Sequence, residues 1–398
     1  MKVLVVTEPG VDGVFRYVES LCDFLMDGEM SVHLAYSDRR GSDRLPMLVS
    51  RIEARGGSTL NLRTANRPEP ADWQAFLALR RMASAVKPDV IHSHSSKAGA
   101  LARALVFCGV RAVQVYQPHA YVGMRPVRGR LDFLYDAVER VLGRTAHTLT
   151  CSSAERSFAL QHLGLSPRRV HTVRHGVDTR VFAPPAPDEK RRMRESLGLP
   201  WPAPILGFLG RSSAQKDPLT LYRAFARAAA VIPDIALFHV GHGELDDELK
   251  RLARDLRIGN RVFRCPYMAT PADFYRMVDG FILTSRYEGF SLAALEALAA
   301  DLPMILSAAP GNLDLLAQPL SHAWKASPGD VGGFACGISR WAEALRHPSP
   351  STHRQIAQTN YQHSRQLEAV LDLYRVWLRS RRLSESGNSE FRTCSPQR

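Results

Sequence analysis

The sequence predicts an α/β protein made of two doubly wound, parallel-sheet domains, and three observations carry that prediction. Short apolar, β-branched runs alternate with longer helix-period segments along nearly the whole chain, the pattern of βαβ units. The alternation restarts after residue 200. Between the two series lies VFAPPAPDEKRRMRESLGLPWPAP, with six prolines between Pro184 and Pro204 and a short charged helix inside, which reads as a linker.

Taken in order, KVLVV, SVHLAY, DVIHSH, AVQVYQ and HTLTC are the expected strands of the first half. ADWQAFLALRRMASAV, GALARALVFCG and RLDFLYDAVERVLG are helices between them. After the linker, PILGFLG, IALFHVG, VFRCP, GFILTS and PMILSA are strands. DPLTLYRAFARAAAVI, ELDDELKRLARDL, PADFYRMV and SLAALEALAA are helices. In SRQLEAVLDLYRVWLRSRR, Leu367, Val370, Leu371, Tyr374 and Leu378 share one helical face. The expected organisation is therefore an N-terminal domain over 1–183, a linker over 184–203, a C-terminal domain over 204–364 and a final helix over 365–383. The polar stretch 384–398 is expected to be disordered.

Composition narrows the class. A chain of 398 residues with 45% hydrophobic and 23% charged residues has enough apolar side chains for two ordinary cores. No apolar run approaches the roughly 18–20 residues that span a bilayer. The opening apolar run, ahead of Thr7-Glu8-Pro9-Gly10, is too short for a signal peptide and reads as a first strand, so a cytoplasmic location is expected. Six cysteines lie far apart with no C-x-x-C pair, so no disulfide framework is expected. The net charge of +13 fits nucleic acid, an anionic membrane, phosphorylated small molecules or simple compositional bias, since only 7 of 52 cations are lysine. The cations are dispersed and no stacking-aromatic module is present, which argues against nucleic acid.

In open α/β sheets, ligands bind beyond the carboxyl ends of the strands, so site residues should sit on post-strand loops. The first such loop is TEPGVDGVFRYV. There Gly10 and Gly13 allow close backbone approach to a phosphate or sugar, or simply a tight turn. The second is GRSSAQKDP, where Arg211 and Lys216 precede a helix starting at Asp217-Pro218. Two cations beside a helix N-terminus suit a diphosphate; solvated loop cations are the plainer alternative. The third is RYEGFSLAALEALA. Glu288 precedes Gly289, and the N–H groups of Phe290, Ser291 and Leu292 open a helix bearing Glu296. Eight residues of helix span roughly 12 Å, about the separation of sugar and ribose in a folded nucleotide diphosphate sugar. Phosphates at the helix N-terminus, with a carboxylate holding hydroxyls on either side, account for that spacing. Two exposed surface acids are the alternative.

These residues carry a family resemblance. Glu288-Gly-Phe…Glu296 resembles the E-x7-E signature of retaining glycosyltransferases of the GT-B fold, family 4 (glycosyl transferases group 1). His175-Gly-Val-Asp-Thr-Arg-Val-Phe182 resembles the NGVD-x-x-x-F segment, and Gly210-Arg…Lys216 the GR-x-x-x-x-K diphosphate loop. His92-Ser-His94-Ser-Ser-Lys97 resembles the H-x-H segment of the acceptor domain, and Gln117-Pro-His119 the loop with the active-site histidine. The resemblance covers about residues 1–380.

It implies two Rossmann-like domains facing across a cleft, with the last helix crossing back to the N-terminal domain. Arg211 and Lys216 would hold the donor diphosphate, Glu296 the ribose hydroxyls, and Glu288 with the backbone after it the transferred sugar. His119 would lie near the scissile bond, Gly13 would approach the donor, and His92, His94, Lys97 and His119 would line the acceptor cleft. The implied reaction moves a hexose-type sugar from a nucleotide diphosphate sugar to a lipid-linked or nascent surface glycan. No cofactor and no metal are implied. A nucleotide-sugar 2-epimerase and a non-catalytic nucleotide-sugar-binding subunit are the alternatives. The chain departs from the pattern at Asp12-Gly13, Asp217, Asp301 and Asp314, where the family favours Gly-Gly, Gly, Gly and Glu.

Two further signals stay open. His239 and His242, around Gly241, border the nucleotide site or stabilise a turn. RPVRGRLDFLYDAVERVLGR forms a basic amphipathic helix that lies on an anionic membrane, giving peripheral attachment at its inner face, or packs on its own sheet.

Overall fold

The computed structural model describes residues 1–10, 12–65, 67–127, 129–130, 132–347 and 349–390. The chain divides into two compact units. In the first, β1 (Lys2–Thr7), α1 (Asp12–Asp27), β2 (Ser31–Tyr36), α2 (Arg44–Ala54), β3 (Thr59–Asn61), α3 (Ala71–Val86) and β4 (Val90–His94) lead to α4 (Ser96–Ala104). Then follow β5 (Val113–Gln117), α5 (Asp132–Leu142), β6 (His147–Thr150), α6 (Ser153–Ser157) and β7 (Val170–Thr172). All seven strands pair in parallel in the order β3-β2-β1-β4-β5-β6-β7. The strands are continuous apolar runs because helices cover both faces; Val3 to Val6 are all inaccessible to solvent.

The second unit holds α7 (Pro187–Ser196), β8 (Ile205–Leu209), α8 (Pro218–Ala229), β9 (Ala236–Val240), α9 (Asp246–Asp255), β10 (Val262–Cys265), α10 (Pro271–Met277) and β11 (Gly280–Leu283). It continues with α11 (Leu292–Ala299), β12 (Met304–Ser307), α12 (Leu313–Leu316), β13 (Ala323–Ala326), α13 (Val331–Arg346) and α14 (His353–Asn360). Its six parallel strands run β10-β9-β8-β11-β12-β13. In each sheet the strand order reverses once, between β1 and β4 and between β8 and β11, and these switch points are where ligands bind in such sheets.

The expected α/β class with two Rossmann-like parallel sheets is the observed fold. Its boundaries differ from those read in sequence. The first unit leaves off at Val173, and Arg174–Arg365 belongs to the second. Segment 174–183 is held there by pairing of Val177 with Gln362, by Arg354 donating to the carbonyls of Thr179 and Phe182, and by Phe182 against Tyr275. The proline-rich stretch is not a free linker either. Arg194 of α7 is buried and donates to Asp279 (2.6 Å) and to the Met277 carbonyl, and Lys190 pairs with the same Asp279 (2.5 Å).

The chain returns to the first unit at Gln366 within α15 (His363–Glu390). Leu367, Val370, Leu371, Tyr374 and Trp377 enter the core containing Val3, Val5, Phe15, Val18 and Leu21. Burial of each such side chain is worth about 1.5–3 kcal/mol. The helix runs past Leu383, where disorder was expected, to Glu390. Propagation adds one backbone bond per residue fixed, and no proline intervenes before Pro396. The rest of the expected tail, 391–398, lies outside the described residues. Among the described residues, no helix is long and apolar enough to cross a membrane.

Candidate active site

The second unit gathers its site residues at the β8/β11 switch point. The loop after β8 carries Arg211 and Lys216, and the loop after β11 carries Glu288. The Lys216 Nζ donates to Glu288 Oε1 at 2.6 Å, and Ser285 Oγ donates to the same oxygen at 2.6 Å. Further bonds lace the loops together. The Arg286 N–H donates to the Gln215 carbonyl, the Gln215 side-chain amide to the Tyr287 carbonyl, and Thr284 Oγ1 to the carbonyls of Lys216 and Asp217. Glu288 is buried, Lys216 half-buried and Arg211 exposed.

Asp217 follows Lys216 with a left-handed backbone, φ 47°. That conformation favours glycine, which explains why the family pattern has glycine there. The aspartate tolerates it because its carboxylate is fully used. It caps α8 by accepting from the Thr220 N–H (3.3 Å) and hydroxyl (2.8 Å), and it pairs with Arg286 (2.9 Å). Pro218 then starts the helix at its first position. Asp301, the other aspartate in a glycine place, also has positive φ (61°), and its carboxylate accepts from Ser351 Oγ and the Arg354 N–H. Asp314, in place of the longer acid, pairs with Arg174 at 2.9 Å.

After Gly289 and Phe290, Ser291 caps α11 by accepting from the Ala294 N–H at 3.2 Å. The first turn of α11, beginning at Leu292, carries no acid, so its positive end is not neutralised from within. Glu296 is buried in the same helix and accepts from the Tyr275 hydroxyl at 2.8 Å. Two glycines set the loop spacing. A Cβ on Gly311 would stand 2.3 Å from the Glu288 carbonyl oxygen, and one on Gly241 would stand 2.0 Å from that of Gly210. His239 is buried against the Tyr222 hydroxyl (3.1 Å); burial first, then the Arg264 charge, pushes its pKa down to about 3, so it is neutral. His242 is exposed, and its carbonyl accepts from the Ser212 N–H of the cation loop.

In the first unit, β1, β4 and β5 bring their residues together at their carboxyl ends. His94 Nδ1 and His119 Nε2 share a hydrogen bond at 3.1 Å, and His92 Nδ1 shares one with the Tyr374 hydroxyl of α15 at 2.5 Å. The His92 and His94 rings lie 4.1 Å apart, and Tyr17 of α1 packs edge-on against His119. Burial holds His92 at about pKa 3, with a smaller contribution from His119. His92 and His94 have no solvent exposure. They therefore back His119, whereas the resemblance implied that they line the acceptor cleft. Lys97 is bound to Asp72 (2.8 Å) and to the Arg67 carbonyl (2.5 Å). Gly13 lies in the first turn of α1.

Three residues here hold strained backbone: Ser95 (φ 73°), His119 (φ 57°) and Ala120 (φ 114°). The buried Glu155 pins this turn, accepting from the Ala120 N–H (2.8 Å) and the Cys151 N–H (2.6 Å). Sequence reasoning missed the roles of Glu155, Tyr17, Tyr275, Tyr374 and Glu8. Glu8, directly after β1, is buried and paired with Arg40 at 3.2 Å; burial raises its pKa. Its place in the first post-strand loop was the signal available.

Two Rossmann-like sheets, a cation loop after the first strand of the second sheet and an acid–helix loop across its switch point are the features on which the resemblance to a glycosyltransferase family rests. The family models agree. Residues 11–181 match "Glycosyltransferase Family 4" and residues 189–359 match "Glycosyl transferases group 1". The chain belongs to this glycosyltransferase family. It is 30% identical to an Escherichia coli UDP-Gal:alpha-D-GlcNAc-diphosphoundecaprenol alpha-1,3-galactosyltransferase, over 61% of this chain and 63% of that protein. It is 36% identical to D-inositol 3-phosphate glycosyltransferase 1 of Catenulispora acidiphila, over 53% of this chain and 49% of that protein. The matches thus span about half to just under two thirds of the length of these two relatives. A sucrose-phosphate synthase from Thermosynechococcus elongatus shares the fold with TM-score 0.78 at 19% identity, covering 96% of this chain and all (100%) of that one. The Anabaena protein HepE, solved in complex with UDP-glucose, does so with TM-score 0.78 at 19% identity, covering 94% and 99%.

Proposed function

We propose that this chain transfers a hexose-type sugar, with retention, from a nucleotide diphosphate sugar to a lipid-linked or nascent surface glycan. The observation that carries the reading is the Lys216–Glu288 pair, which ties the cation loop to the acid–helix loop at one switch point. In this reading the donor diphosphate lies over the N-terminus of α11, against Arg211 and Lys216. Glu296, oriented by Tyr275, takes the ribose hydroxyls. Glu288 and the N–H groups that follow it take the sugar. Departure of the diphosphate leaves an oxocarbenium-like sugar, and fixed positive charge on the leaving oxygens is the largest help available. The acceptor hydroxyl attacks from the face the diphosphate leaves, and its proton passes to a diphosphate oxygen. His119 is held by His94 and by the pinned turn.

The names of relatives support a UDP-sugar donor and a diphospholipid-linked acceptor. The test is incubation with UDP-hexoses and a polyprenyl diphosphate-linked sugar, followed by chromatography of the glycolipid and NMR of the new anomeric centre. A lengthened glycolipid with the donor's anomeric configuration supports the reading. An epimerised or free sugar formed without an acceptor contradicts it.

A further inference from the structure

We infer that the outward face of α5 is a docking surface for an anionic lipid bilayer. The helix DFLYDAVERVL has two faces. Phe133, Leu134, Val138 and Val141 share one; Asp132, Asp136 and Glu139 share the other. A helix packed on its sheet buries the apolar face, and α5 does the reverse. Phe133 is 69% exposed, Leu134 51%, Val138 37% and Val141 53%, while the three acids are buried.

The inversion has a physical cause. Arg103 of α4 is fully buried, with its guanidinium 3.7 Å over the Tyr116 ring. Such a charge is tolerated inside only when paired. Glu139 supplies the pair, accepting from Arg103 Nη1 at 2.8 Å and from the Tyr116 hydroxyl at 3.0 Å. Asp136 bonds His162 at 2.7 Å, and Asp132 accepts from the Gly129 N–H at 3.0 Å. Rotating α5 to hide its apolar side would strand the Arg103 charge. The exposed apolar stripe is therefore built into the fold.

Charge selects the occupant. Every acid of α5 faces inward, whereas Arg130, Arg140 and Arg144 are exposed at its ends and flank. An apolar stripe flanked by these cations fits the headgroup–acyl boundary of an anionic bilayer, with the helix lying in its plane. A second copy of the chain fits poorly, because a two-fold axis through this face brings arginines against arginines. The inference uses no residue of the active site, so it stands or falls separately from the proposed transfer reaction.

The test is flotation of the full chain with vesicles of phosphatidylglycerol and phosphatidylcholine, or of phosphatidylcholine alone, at low and high salt. The chain is expected to float with the anionic vesicles at low salt and to be released as salt rises. Phe133→Ser with Val141→Ser should abolish flotation. Arg130→Gln with Arg144→Gln should weaken partitioning about ten- to thirtyfold. Circular dichroism and nucleotide binding check that both variants keep the fold. Absence of flotation by the folded wild type, or equal flotation by both variants, overturns the inference. A concentration-dependent dimer that Phe133→Ser with Val141→Ser dissolves, without vesicle binding, assigns the face to a second copy instead.

Discussion

The Lys216 ammonium and the Glu288 carboxylate meet at 2.6 Å although 72 residues separate them in sequence. Each is fixed by its own loop, and the two loops are bonded to each other by main-chain and side-chain contacts. The pair therefore behaves as one preorganised unit, whose parts cannot move independently.

Lys216→Ala should lower turnover about 100- to 1000-fold, the usual cost of one lost leaving-group stabiliser. Glu288→Gln should also reduce turnover while leaving nucleotide affinity within a few-fold, because its role is on the sugar side. Steady-state kinetics with separate kcat and KM for the donor check both; wild-type kcat in Lys216→Ala would remove this role.

Gly311→Ala should impair activity more than stability. The added methyl meets the Glu288 and Gly289 carbonyl oxygens at 2.3 and 2.5 Å, so the acid-bearing loop must shift. Overpacking of this kind costs about 1–3 kcal/mol, while a shift of the loop misplaces the group that holds the sugar. Chemical denaturation and kcat measured on the same preparation separate the two effects.

At Asp217, alanine should destabilise more than glycine, by about 1 kcal/mol. Alanine loses the cap and keeps the left-handed strain, whereas glycine loses the cap but is at ease at φ 47°. Equal urea midpoints for the two variants would mean that the strain is not felt.

Acid should destabilise the fold through its buried histidines. Burial lowers His92 and His239 to about 3 and His175 to about 4. The unfolded chain, near 6.5, therefore binds these protons first, so the stability is complete above pH 6.5 and is lost as pH falls toward 4. Each group contributes a slope of about 1.4 kcal/mol per pH unit in that window. Denaturation at pH 7.5, 6 and 5 should show the decline, and His239→Asn should flatten it.

Much of this architecture is legible in the sequence because its signals are long or chemically specific. The segment 71–86 is α3 residue for residue, and the apolar face of the last helix packs as its spacing predicts, with Trp377 added. β3 and β7, three residues each, are too short to show a period. The orientation of α5 was not legible either. Its periodicity gives two faces but not which one is inside, and the deciding group, Arg103, lies on another helix. The roles of Tyr374, read only as part of an apolar face, and of Glu155 were hidden for a related reason: Tyr374 bonds His92 and Glu155 pins the turn beside His119 from distant segments, and no local motif marks them. The cation and acid–helix loops were readable because glycine, charge and a helix start coincide within a few residues.

The most direct test is calorimetric titration of UDP into the wild-type chain and into Lys216→Ala. The account predicts a saturable site in the wild type and an affinity at least about tenfold weaker in the variant. Equal affinity in the two proteins, or no binding of UDP, ADP or GDP by a folded wild type, would contradict it.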